Sequence, residues 1–209
     1  MYVPNHFKED RVPELHAAIR AIGIGTLITN GTDGMEASHI PLLIDPEPAP
    51  YGTLRGHIAR SNGQWKRATA GSEALVTFLG PNAYVTPNWF PSKRETGKVV
   101  PTWNYIAIHA SGPLRFFEDR APLLDIVTRL TNTHEGKREK SWAVTDAPAE
   151  YIDTMLKAIV GFELPIAKLE GKWKLSQNKS AADVAGVREG LTAEKDEDAA
   201  ALARAMSNL

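Results

Sequence analysis

Hydrophobic residues recur first at helical spacing and then at strand spacing along this chain. Over residues 9–21, Leu15, Ala18, Ile19 and the following Ile22 share one face of a helix. Gly25-Thr26-Leu27-Ile28-Thr29 then reads as a strand. Asn30-Gly31-Thr32-Asp33-Gly34 is turn chemistry, because Gly and Asn tolerate a positive φ. Residues 37–44 return as the second strand of a hairpin. Within them Pro41, which cannot donate to a ladder, predicts an edge or a bulge. Residues 53–59 read as a third strand and residues 61–70 as a short helical turn carrying Trp65, Lys66 and Arg67. Further strands are predicted over residues 73–79, 83–86 and 105–110. Gly112-Pro113 interrupts the last of these, and Leu114-Arg115-Phe116-Phe117 continues it or returns. Five or more short strands joined mostly by turns argue a barrel or a sandwich.

The later chain turns helical. Leu123, Leu124, Val127 and Leu130 repeat at helical spacing after Asp119, a suitable N-cap. Asp146-Ala147-Pro148 opens another helix with Tyr151, Ile152, Met155 and Ile159 on its apolar face and Gly161 as its stop. Residues 162–169 read as a final strand, and one or two amphipathic helices are predicted from residue 181. The fold class is therefore α+β, mainly β, with flanking helices. Its expected division is a barrel domain over residues 1–178 and a helical tail over residues 179–209.

Composition narrows the function classes. A chain of 209 residues with 43% hydrophobic and 23% charged content buries a real core. A formal net charge of -1 supplies no overall basic field for nucleic acid or an anionic membrane. The absence of cysteine excludes disulfides, thiol nucleophiles and thiolate metal sites. The first residues show no charged segment followed by an apolar run, and no apolar stretch is long enough to span a bilayer. A cytoplasmic protein with no membrane partner is the expectation.

Candidate chemistry lies in two places. Arg55, His57, Arg60, Ser61, Asn62 and Lys66 gather hydrogen-bond donors at the end of the third strand and the turn beyond it. Donors of this kind converging from a strand end and a helix start suit a phosphate, while a solvated polar loop is the plainer reading. The second place follows a loop over residues 80–93 that is dense in aromatics, prolines and cations. There Val99-Val100-Pro101-Thr102-Trp103-Asn104-Tyr105 leads into a strand. Its aromatics suit the edge of a flat ligand or, equally, aromatic packing over a hairpin connection. Trp89, Phe90, Trp103 and Tyr105 lie in or beside that connection and point to a homodimer interface. His39, His57 and His109 each sit in a predicted strand, as a base, a polar ligand contact or an ordinary structural histidine. Their spacing fits no metal signature, and no metal is expected. There is no nucleophile elbow and no Gly-rich phosphate loop. Lys172-Trp173-Lys174 interleaves cations with a Trp, either to stack on a base or a flavin or to cover apolar surface with lysine stems.

Taken in order, several long motifs resemble the PaiB-like family of FMN-binding negative transcriptional regulators. They are Met1-Tyr2-Val3-Pro4-Asn5-His6-Phe7, Ser38-His39-Ile40-Pro41-Leu42-Leu43 and Leu54-Arg55-Gly56-His57-Ile58-Ala59-Arg60. Pro91-Ser92-Lys93, Val99-Val100-Pro101-Thr102-Trp103-Asn104-Tyr105 and Val160-Gly161-Phe162-Glu163 continue the series. Glu170-Gly171-Lys172-Trp173-Lys174-Leu175-Ser176-Gln177-Asn178 completes it, and the residues after Asn178 add nothing. The resemblance implies an FMN-binding split β-barrel, a fold shared with pyridoxamine-phosphate oxidases and flavin reductases, with FMN at a homodimer interface. It implies that Ser38 and His39 run beside the isoalloxazine and that His57, Ile58, Ala59, Ser61, Asn62 and Lys66 hold the phosphate. It also implies that Thr102, Trp103 and Asn104 meet the ring edge or the dimer contact, and that Lys174 reaches the site from the C-terminal segment.

Three function classes follow. The first is the regulator of the family's description, with DNA as a partner by resemblance alone, since no reading helix is recognisable. The second is a flavin-dependent oxidoreductase acting on a small molecule. The third is a flavin- or nucleotide-sensing module acting through a protein partner. No catalytic residue is assigned.

Overall fold

The computed structural model describes residues 1–69 and 71–207. Residue 70, the end of the expected short helical turn, and residues 208–209, the end of the expected tail, lie outside the described residues. The chain forms two compact units. Unit 1 takes Met1–Arg11, Leu79–Ile108 and the chain from Glu170 onward, and unit 2 takes Val12–Phe78 and His109–Leu169.

Unit 2 begins with helix α1 (Val12–Ile22), which buries Leu15 and Ile19. Gly23, at φ 72°, donates its N–H to the Ile19 carbonyl at 2.9 Å and closes the helix in the left-handed conformation that glycine tolerates. Strands β2 (Ile24–Gly31) and β3 (Gly34–Pro41) form the expected antiparallel hairpin, with Thr26 opposite His39 and Leu27 opposite Ser38. The proline reading is borne out: β3, which ends at Pro41, is the edge strand of its sheet. Residues 37–44 are therefore not one strand. After Leu42, β4 (Leu43–Asp45) leaves for a second sheet.

That sheet has the order β4-β5-β9-β8, all antiparallel, with β5 (Thr53–Ala59), β8 (Arg115–Phe117) and β9 (Ile159–Pro165). Its interior face carries Leu54, Ile58, Phe162 and Leu164, all buried. Helix α4 (Arg120–Glu135) packs Ile126 and Leu130 with Leu43 and Phe117. Helix α5 (Ala149–Leu156) ends before Gly161, which is a strand residue opposite His57 and not a helix stop. A Cβ at Gly161 would lie 2.4 Å from the Phe117 ring, so close packing and not helix termination requires glycine there. An ion-pair ladder runs across all four strands and onto α4: Arg115 pairs with Glu163, Glu163 with Arg55 at 3.1 Å, Arg55 with Asp45 at 2.9 Å, and Asp45 with Arg129. Burial raises the Asp45 pKa, but the Arg129 and Arg55 guanidinium groups outweigh it and hold the carboxyl below its ordinary value.

Two long strands contribute residues to both units: β6 (Glu73–Val85) and β7 (Thr102–Pro113). The strands expected separately at 73–79 and 83–86 are thus one, running through Gly80-Pro81. The expected break at Gly112-Pro113 falls at Leu114 instead. Gly112 serves close packing, since a Cβ there would lie 2.0 Å from the Pro165 carbonyl oxygen. Residues 162–169 divide between β9 and β10 (Lys168–Lys174).

In unit 1 the strands run in the order β1 (Lys8–Glu9), β10, β7, β6. The tail is two helices, α6 (Ala181–Ala193) and α7 (Glu197–Met206), capped by Ser180 and Asp196. Val187, Leu191, Leu202 and Met206 of these helices form one core with Val85, Phe90, Ile106 and Leu175. Among the described residues no helix is long and apolar enough to cross a membrane.

Candidate functional site

In unit 2 the β2–β3 hairpin and the turn after β5 are joined by one polar cluster. The turn leads into a one-turn helix, α2 (Gln64–Arg67). The Asn62 side-chain amide donates to Ser38 Oγ at 2.9 Å, and Ser38 Oγ donates to Gln64 Oε1 at 2.6 Å. Asn62 Oδ1 accepts the Gln64 backbone N–H at 3.0 Å, which starts α2 as an Asx turn does. Gln64 is 1% exposed. Its Nε2 donates to Thr29 Oγ1 at 3.0 Å and to the carbonyls of Leu27 and Glu36 at 3.3 and 3.4 Å. Gln64 thus ties α2 to both strands of the hairpin. Trp65 Nε1 donates to the Arg60 carbonyl at 3.1 Å, which holds the indole against the turn.

The remaining expected residues fall around this cluster. His39 lies on the exposed face of β3, with Nδ1 2.9 Å from Thr26 Oγ1. Ser61 and Lys66 are exposed, and the Lys66 ammonium sits 5.2 Å from the Trp65 ring centroid. Ala59 is exposed at the end of β5, whereas the Ile58 side chain belongs to the core and offers only its backbone. His57 is half-buried, and its Nδ1 is a buried atom with no partner among the described residues. Burial pushes the His57 pKa below the ordinary histidine value and favours the neutral ring.

Two of the donors that the sequence groups with these are committed elsewhere. Arg60 donates to the Lys157 carbonyl at 2.6 Å and pairs with Glu118. Arg55 belongs to the ion-pair ladder described above. Arg67 pairs with Glu36.

Thr102, Trp103, Asn104 and Lys174 meet one another in unit 1. Lys174 Nζ donates to Thr102 Oγ1 at 2.6 Å and to the Trp103 carbonyl. Burial, followed by the neighbouring charges of Lys172 and Lys179, lowers the Lys174 pKa. Asn104 is fully buried and exchanges hydrogen bonds with Ser176, Nδ2 to Oγ at 3.1 Å and Oγ to Oδ1 at 3.2 Å. Ser176 has φ 66°, a left-handed conformation uncommon for a residue with a Cβ. Gln177 holds that turn, accepting from Leu175 N at 2.8 Å and donating to the Trp173 carbonyl at 2.6 Å. In this structure the two motifs interlock β7 with the end of β10.

Of the four aromatics expected at an exposed interface, Phe90 is core, Trp89 and Tyr105 are half-buried, and only Trp103 is well exposed, at 53%. Lys172 is 8% exposed and lies 5.6 and 5.2 Å from the rings of Tyr2 and Tyr105. In the basic cluster, Lys172 is thus buried against two aromatic rings, while Lys174 is half-buried. Gln64 is missing from the residues singled out by sequence, and Ser176 and Gln177 enter there only within a family motif, with no role of their own. A glutamine in a one-turn helix looks like any solvated glutamine until its burial is known.

The donor set fits a flavin mononucleotide. Ser61 and Asn62 provide a hydroxyl and an amide and Lys66 an ammonium, all from one turn, beside a strand whose outer face is open at His39. The unpartnered His57 Nδ1 lies on the strand that feeds that turn.

Comparison with known proteins agrees with this. A family profile described as "Putative FMN-binding domain" matches residues 1–168. The "Protease synthase and sporulation protein PAI 2" of Bacillus subtilis (strain 168) is 31% identical over 208 residues, covering 100% of this chain and 97% of that protein. Among solved structures, the flavocytochrome Anf3 from Azotobacter vinelandii aligns with TM-score 0.60 at 11% identity, over 88% of this chain and 78% of that one. The FAD and heme binding protein from Mycobacterium smegmatis aligns with TM-score 0.55 at 16% identity, over 85% and 78%. These structural likenesses show the fold, a split β-barrel with flanking helices. With a profile match over most of its length and a full-length relative of that kind, the chain belongs to the PaiB family of the FMN-binding domain.

Proposed function

We propose that this protein binds FMN at the junction of β3 and the β5–α2 turn and uses it as a cytoplasmic regulator. The observation that carries this reading is the Ser38–Asn62–Gln64 cluster. It joins, by side-chain hydrogen bonds, the two segments to which the family resemblance gives the ring and the phosphate. On this reading Ser61, Asn62 and Lys66 hold the phosphate, with backbone from Ile58 and Ala59, while Ser38 and His39 border the ring. His57 finds the partner of its Nδ1 in the bound cofactor. Bound FMN would supply reversible redox chemistry at its isoalloxazine.

The protein is a homodimer on this reading, the partner lying against the outer face of β3. That face presents Met35, 77% exposed, together with Ala37, His39 and Pro41. Regulation runs through a protein partner. Lys172 and Lys174 are engaged with Tyr2, Tyr105 and Thr102, and the net charge of -1 gives DNA no field to follow.

Titration with FMN and riboflavin tests the reading. Charge-assisted hydrogen bonds contribute roughly 1.5–3 kcal/mol each, so loss of the phosphate should weaken binding well over tenfold. Equal affinity for the two flavins would sink the phosphate assignment.

A further inference from the structure

Unit 1 holds a cavity whose lining includes none of the residues given to the phosphate. Its volume is about 520 Å³, within the range of small-ligand sites. Tyr84, Trp89 and Trp103 wall it, and Glu194, Asp196 and Asp198 lie along it. Tyr84 and Trp103 meet edge to face, with ring centroids 6.3 Å apart. Trp89 is set in place by glycine: a Cβ at Gly190 of α6 would lie 2.3 Å from the indole, and one at Gly186 would lie 2.2 Å from the Trp89 carbonyl oxygen. Two glycines one turn apart let the helix abut the Trp89 turn, so this wall is closely packed.

The carboxylates have separate local explanations, and these explanations run out at one of them. Asp196 Oδ1 caps α7 through Ala199 N at 2.9 Å. Asp198 Oδ2 accepts from Asn82 N and Nδ2 at 3.3 and 3.2 Å. Those bonds fix both groups and use one oxygen of each. Glu194 sits at the C-cap of α6, where the helix dipole disfavours negative charge. Its placement there gains nothing for the helix but brings a third carboxylate to the cavity.

Aromatic faces attract cations through the ring quadrupole, and carboxylates add charge of the matching sign. An anion such as a flavin phosphate is repelled by the same set. We infer that this cavity binds a small organic cation of the alkylammonium class, and that its binding is independent of the flavin site in unit 2. Its quaternary or primary ammonium head takes the aromatic walls, and the carboxylates balance the charge.

The experiment compares choline with its neutral isostere 3,3-dimethylbutan-1-ol by calorimetric titration of the full chain. Saturable choline binding, at least tenfold tighter than that of the isostere, is the expected result. Trp103→Ala and Glu194→Gln should each weaken choline binding at least fivefold with no change in melting temperature, since both side chains are exposed. Glu189→Gln, on α6 but outside the cavity lining, should leave it unchanged and controls for bulk charge. Equal binding of choline and the isostere would overturn the inference, as would no saturable binding or full affinity in Trp103→Ala. FMN titrated into Glu194→Gln separates this outcome from that of the flavin reading: its affinity should not move.

Discussion

Replacing Gln64 by methionine isolates what the buried amide contributes. Methionine keeps nearly the same volume, so no cavity term enters, but it can neither accept from Ser38 nor donate to Thr29. The structure gives two well-formed bonds, at 2.6 and 3.0 Å, and two longer ones to carbonyls at 3.3 and 3.4 Å. A net intramolecular hydrogen bond contributes about 1 kcal/mol, and a buried group left without its partner costs about 1–3 kcal/mol. The two short bonds and the groups they leave behind put the loss at about 2–4 kcal/mol. For a chain of this size, where 1 kcal/mol shifts the melting temperature by about 2–4 °C, the midpoint should fall by roughly 4–16 °C. Urea denaturation followed by circular dichroism gives the free energy directly, and a thermal melt checks it. Gln64→Glu should be worse, because its carboxylate would face the Leu27 and Glu36 carbonyls to which the amide now donates. A Gln64→Met protein within about 0.5 kcal/mol of wild type would show that the cluster does not hold the hairpin to α2.

The pH dependence of stability reports on His57. Its folded pKa lies below the unfolded value, so the unfolded chain takes up the proton first as pH falls. The associated stability is fully present above about pH 6.5 and is lost as pH falls through that value toward the folded pKa, with a slope of at most about 1.4 kcal/mol per pH unit. His57→Gln should flatten that part of the urea midpoint profile, and an unchanged slope would assign it to another group. Lys66→Ala should weaken FMN binding at least tenfold while changing stability by less than about 1 kcal/mol, since the side chain is exposed; a folded variant with wild-type FMN affinity would make Lys66 an ordinary solvated lysine. Light scattering at micromolar concentration should give a dimer that Met35→Arg converts to monomer, and a wild-type monomer would remove the partner from the flavin site.

Local chemistry was legible in the sequence wherever it acts over a few residues. The β2–β3 hairpin follows from Asn30-Gly31-Thr32-Asp33-Gly34, the edge position of β3 from the missing N–H of Pro41, and the helical tail from apolar spacing beyond residue 181. The family motifs carried the fold because they run in order through nearly the whole chain. Tertiary packing decided what no local pattern encodes. Gly161 and Gly112 read as punctuation but are strand residues whose missing Cβ admits Phe117 and the Pro165 carbonyl. Arg55 and Arg60 read as phosphate donors beside Ser61 and Lys66, yet acidic residues and carbonyls distant in sequence claim them. Asn104 and Lys174, read as ligand contacts, also bond to Ser176 and to Thr102, partners that no local pattern names. A side chain's hydrogen-bonding capacity is written in its chemistry. Which partner takes it up depends on burial and on what the fold brings within about 3 Å, and those are set only when distant segments pack.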